Sequence, residues 1–165
     1  MSDQPSRLTA PGDMDAAAAR QAVLDLADEI HALDASGDTY FYYDLPDDPE
    51  PDRRFPFATL ITGDRHDSFS NLDREGVYRL NVGVSRQTYE SLIGAPPPRA
   101  EADGSYDTGH DYTALDRIMP HPVYAPMGWA SVLNPSRETF ETVVRPLLDE
   151  AIDTAGRKAA RRAAG

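Results

Sequence analysis

Pro120, Pro122 and Pro126 fall within the run MPHPVYAPMG (119–128). Proline has no backbone N–H to donate to a sheet ladder, so this run cannot be a central strand. It predicts a stiff, extended or polyproline-like arm. The arm also constrains its neighbours. After it, WASVL (129–133) reads as a β-strand. Before it, YTALDRIM (112–119) reads as a short helix, capped by Asp111 and stopped by Pro120. Whatever fold the chain adopts must place a turn of helix, a rigid arm and a core strand in immediate succession.

The remainder supplies the elements that pack around that unit. Asp13 or Asp15 can cap a helix through AAAARQAVLDLADEIHALDA, where Val23, Leu26, Ala27, Ile30 and Leu33 recur at helical spacing. Gly37 can close it in a left-handed conformation. DTYFYYD (38–44) follows as a strand. The aromatics from Tyr40 to Tyr43 cannot all face one core, so two of them lie under a loop or line a groove. FATLIT (57–62) and VYRLNVGV (77–84) are two more strands. The second alternates Tyr78, Leu80 and Val82 with Arg79, Asn81 and Gly83. Ser85 caps a short helix, and a last helix starts at Asn134-Pro135 or Ser136, buries Phe140, Val143, Val144, Leu147 and Leu148, and is expected to kink at Pro146.

Residues 1–12 are expected to be a disordered leader, 13–155 a single α+β domain and 156–165 a basic tail. Strands joined by loops, without βαβ alternation, predict an antiparallel sheet of about four strands with helices packed on one face.

Composition removes several classes of function. The chain has no cysteine, which excludes disulfides and thiolate metal ligands. Its net charge of −12 repels nucleic-acid phosphate at long range, so nucleic acid is disfavoured as a partner. Neither phosphate-binding glycine pattern, G-x-x-x-x-G-K-[ST] or G-x-G-x-x-G, is present, and there is no G-x-S-x-G elbow. No apolar run approaches the ~20 residues of a membrane helix, and the opening residues lack a signal-peptide pattern. A cytoplasmic protein is expected, with no membrane contact and no cofactor, whose partner is a small molecule or another protein. Composition carries no signal for oligomeric state.

The candidate site comes from an internal echo. Thr62-Gly63, His66-Asp67 and Leu72-Asp73-Arg74 are repeated as Thr108-Gly109, His110-Asp111 and Leu115-Asp116-Arg117. Each copy sets a histidine beside a carboxylate and follows it with an Asp-Arg pair. If the loops meet, His66, Asp67, His110, Asp111 and His121 have the chemistry to hold a divalent ion that activates water. Their spacing matches no established ligand motif, so no metal is assigned. As a binding site, His66, Asp67, His110, Asp111 and His121 supply polar contacts, Arg74 and Arg117 hold an anionic group, and Tyr124 forms an apolar wall. No catalytic residue is assigned, and His31 reads as a surface residue.

FPFATLITGD, SNLDREGVYRLNVGV, HDYTALDRIMPHPVYAPMGW, VLNPSRETF and VVRPLLDEA follow in order within roughly residues 38–155. In these strings the chain resembles an uncharacterised bacterial domain-of-unknown-function family, a resemblance that brings no activity with it. More distantly, the order of strand, helix, extended segment, tryptophan strand and final helix is similar to MmcQ/YjbR-like proteins. That resemblance implies a frataxin-like, double-wing α+β fold and DNA binding, from which the acidic composition departs. The leading expectation is a non-catalytic binding module, with its site between Gly63–Gly76 and His110–Gly128. The alternatives are a hydrolase acting through a histidine–carboxylate pair and a DNA-binding regulator.

Overall fold

Asp15 adopts an extended conformation, and its Oδ1 accepts the Ala18 N–H at 2.8 Å, which starts helix α1 (Ala16–Leu24). The computed structural model describes residues 13–44, 55–95, 102, 104 and 109–164; the expected leader (1–12) lies outside them. Helix α1 ends well short of Gly37. Ile30–Ala35 is instead strand β1, paired antiparallel with β2 (Asp38–Tyr43). Ser36 and Gly37 join them at φ values of 54° and 89°, and two consecutive positive φ values suit a type I′ hairpin turn. The long helix expected from Ile30 and Leu33 is therefore corrected: cross-strand pairing overrides their helical spacing.

Strands β3 (Ala58–Ile61), β4 (Arg79–Gly83), β5 (Met119–Pro120) and β6 (Trp129–Leu133) complete one antiparallel sheet in the order β1-β2-β3-β4-β6-β5. The fold class is α+β, with six strands where about four were expected. The additional strands are the hairpin arm β1 and the two-residue β5. The latter pairs only with β6, so Pro120 lies on an edge strand, where a missing donor is tolerated. The helix expected over 112–119 does not form. Asp111 Oδ1 accepts the Thr113 N–H at 3.0 Å, a local turn that is not propagated, and Asp116 reverses the chain at φ 57°.

One face of the sheet presents Phe41, Ala58, Leu60, Leu80, Val82 and Val132 to a core completed by Ala19 and Val23 of α1 and by the C-terminal helix. Helix α2 (Arg86–Leu92) follows β4. The C-terminal helix runs through α3 (Arg137–Thr139), a π-helical turn (Phe140–Val144) and α4 (Arg145–Ala164), so residues 156–164 are helical. The kink expected at Pro146 takes the form of this wide turn. Arg145 N–H donates to Phe140 O, five residues back. Widening the turn relieves the contact that a proline ring makes with the carbonyl four residues earlier. Ser136 Oγ accepts the Thr139 N–H at 3.1 Å at the start of this helix. Ser136→Ala is expected to cost about 1 kcal/mol in urea unfolding; an unchanged midpoint would show the cap to be dispensable. Among the described residues, no helix is long and apolar enough to cross a membrane.

Candidate functional site

The opposite face of the sheet is polar at its centre. Arg79, which is 1% exposed, forks onto Asp67: Nη1 donates to Oδ1 at 3.1 Å and Nη2 to Oδ2 at 2.8 Å. Nη1 also donates to Ser70 Oγ at 3.0 Å, and Nε donates to Asn81 Oδ1 at 3.1 Å. Asn81 then donates to Thr59 Oγ1 and accepts from Ser131 Oγ. Burial pushes the Asp67 carboxyl up, but the guanidinium fork outweighs it and holds the group below the usual carboxylate range. Around this network Ile61, Leu72, Val77, Met119 and Leu133 form a second small apolar cluster. The 63–76 loop is thereby sealed onto the sheet.

His121 belongs to the same floor. It is 4% exposed, and its Nδ1 accepts the N–H groups of Val123 and Tyr124, each at 3.0 Å. The ring proton is thus assigned to Nε2. Burial, and then the Arg79 charge, drive its pKa down to about 3 against the opposing pull of Asp67, so the ring is neutral at pH 7. Tyr124 packs on it with ring centroids 4.9 Å apart.

At the β2 end the polar face opens. Asp38 is 1% exposed; its Oδ1 accepts from Thr62 N and Arg65 Nη2, both at 2.9 Å, and its Oδ2 lies 3.1 Å from His66 Nε2. Tyr40 OH lies 3.0 Å from that same nitrogen. A carboxylate only accepts, so the contact to Asp38 places a proton on Nε2. Burial, reinforced by the Asp38 charge, raises the Tyr40 hydroxyl above the usual tyrosine range and keeps it protonated. Arg65 and His66 side chains are 47% and 52% exposed. A buried carboxylate thus holds two half-exposed polar side chains, with Tyr40 against His66 and Tyr42 two residues further along the same face of β2.

The residues singled out in the sequence separate into distinct places. The two echoed loops do meet: Arg74 Nη2 donates to Thr113 O at 3.1 Å as well as to Ser70 O at 3.0 Å. Asp67 and His121 share the buried floor, whereas His66 stands at the open corner. His110, Asp111 and Arg117 are exposed, and Asp111 is engaged by Thr113. Among the described residues, no three His, Asp or Glu side chains converge as a metal site would require. Sequence reasoning missed Asp38, Tyr40 and Arg65 as a unit. The available signals were Ser36-Gly37 before an aromatic run, which marks a hairpin, and Arg65 directly preceding His66.

Together these features define an antiparallel α+β domain whose polar sheet face carries a buried arginine–carboxylate network and, at the β2 end, a carboxylate-held corner. The chain belongs to the family of unknown function DUF6194, whose model matches residues 14–164. No curated protein and no solved structure matches it.

Proposed function

We propose that this chain is a non-catalytic, cytoplasmic binding module whose small polar or aromatic ligand is taken at the Asp38 corner. The observation that supports this reading is the buried Asp38 carboxylate holding Arg65 and His66, both about half exposed, in fixed positions. Side chains ordered before a ligand arrives lose little further entropy on binding it. In this reading Arg65 and His66 supply directional polar contacts, and Tyr40 with Tyr42 forms the apolar wall. Beneath the 63–76 loop the Asp67–Arg79 pair and an apolar cluster that includes Met119 occupy the interior, so this reading takes the ligand at the corner where His66 stands. The test is a thermal-shift ligand screen followed by an amide NMR map of the hits. Shifts at residues 38–42 and 62–66 support the reading; hits that map elsewhere, or no hits, oppose it.

One geometric feature favours a second reading, a hydrolase. Asp38 holds His66 through Nε2 as a carboxylate orients a general base. Turnover of p-nitrophenyl acetate that disappears in His66→Gln would support it, and the absence of turnover removes it. DNA binding finds no comparable support in a chain of net charge −12.

A further inference from the structure

Strand β1 is an outer strand of the sheet, and it carries none of the devices that commonly blunt such an edge. Its sequence, IHALDA, has no proline and no lysine, and it pairs with β2 through all six residues without a bulge. Its one carboxylate, Asp34, is drawn back by Arg20 Nη2 at 2.6 Å and by Thr39 Oγ1 at 2.7 Å. The opposite edge is blunted: β5 is two residues long and ends in Pro120. Along β1, His31, Leu33, Asp34 and Ala35 are exposed, Leu33 by 50%. The free backbone groups follow from the ladder. Glu29 O accepts the Asp44 N–H at 2.8 Å, so the antiparallel alternation turns His31, Leu33 and Ala35 toward β2 and Ile30, Ala32 and Asp34 outward. The Ile30 N–H donates to Ala27 O at 3.4 Å, whereas among the described residues the outward groups of Ala32 and Asp34 have no backbone partner.

We propose that β1 pairs antiparallel with β1 of a second copy of this chain, about a twofold axis that passes beside Leu33. In that register Ala32 of each copy exchanges both backbone hydrogen bonds with Asp34 of the other, so the edge is complementary to itself. Leu33 stands opposite Leu33 of the other copy as a non-hydrogen-bonded pair, with Cα atoms about 4.5 Å apart. Its exposed side chain is thereby covered on the side away from Tyr40, its neighbour on β2. His31 falls opposite Ala35, so no like charges meet across the seam. The adjoining registers are poorer. One centred on Asp34 opposes two carboxylates, and one centred on Ala32 needs the Ile30 N–H that Ala27 already holds.

The chain has no cysteine, so a single introduced thiol reads the register directly. Under mild oxidation Leu33→Cys is expected to form an interchain disulfide at least tenfold faster than Ala35→Cys. Only the first brings its Cα atoms within the ~4.4–6.8 Å that a disulfide spans. The two Ala35 residues would lie four positions apart along the seam, roughly 13 Å. Sedimentation of the full chain is run at about 0.3 M salt, which screens the repulsion between two chains of net charge −12. Its mass is expected to rise toward that of two chains between about 10 μM and 1 mM, the range of a small, weak interface. Leu33→Lys is expected to weaken association at least tenfold and to leave the melting temperature of the dilute protein unchanged. A chain that stays monomeric at the highest of these concentrations overturns the proposal. So does Ala35→Cys that cross-links as fast as Leu33→Cys, or Leu33→Lys that associates like the parent. Slow amide exchange at Ala32 and Asp34 in a monomer would show another segment of this chain on the edge, and likewise overturns it.

Discussion

Asp67→Ala is expected to destabilise the protein by roughly 3–5 kcal/mol in urea unfolding, because it leaves the Arg79 guanidinium buried without its counter-charge. Arg79 is 1% exposed and lies on a central strand, so no small movement returns it to water. The same principle sets the outcome of a double replacement. Asp67→Leu/Arg79→Met removes both charges and keeps side-chain volume, and is expected to recover most of the loss. A loss below about 1 kcal/mol for Asp67→Ala, the size typical of exposed pairs, would show that water reaches the pair.

Acid is expected to weaken the fold through His121. The folded chain holds this ring neutral down to about pH 3, whereas the unfolded chain takes up a proton near the ordinary 6.5. Between those values the unfolded state binds more protons than the folded one, so stability rises with pH across the window and falls as pH drops. The contribution is fully present above 6.5 and is on the order of a few kcal/mol. Asp67 acts lower down: its lowered pKa stabilises the fold above the ordinary carboxylate value, an effect lost as pH falls through the depressed one. His121→Asn keeps an acceptor for the Val123 and Tyr124 N–H groups but does not titrate. Its stability curve is therefore expected to be flatter than the parent's between about pH 3 and 6.5. Parallel curves would contradict a neutral buried His121.

Elements whose signals are local were legible in the sequence. Trp129–Leu133 is a strand over the expected residues, Ser85 caps the helix it was expected to cap, and Ser136, one of the two expected starts, caps the last helix. The aromatic run also divides as expected: Phe41 enters the core, while Tyr40 lies on the other side of β2 beside His66. What failed depended on tertiary pairing. Ile30 and Leu33 continue the periodicity of α1, yet hairpin pairing with Tyr43 and Tyr40 makes them strand residues. Arg79 and Asn81 alternate with apolar neighbours as if to face solvent. The 63–76 loop covers that face and turns them into a buried network, which alternation alone cannot reveal.

The histidine–aspartate echo was visible, but not its division of labour. Asp67 is forked by an arginine on β4 and His121 is closed into the same floor. His66 meets its carboxylate partner, Asp38, on β2, 28 residues earlier in the chain. Sequence adjacency therefore named the histidine that matters to the proposed site and paired it with the wrong acid.

That division is tested most directly by the affinity of screened ligands for His66→Gln. The glutamine amide can still donate to Asp38, so the buried carboxylate stays partnered, while the imidazole ring that the reading places against the ligand is removed. The expected result is a melting temperature close to that of the parent with at least a tenfold loss of ligand affinity. Ligands that bind His66→Gln as tightly as the parent would contradict the assignment of the Asp38 corner as the site.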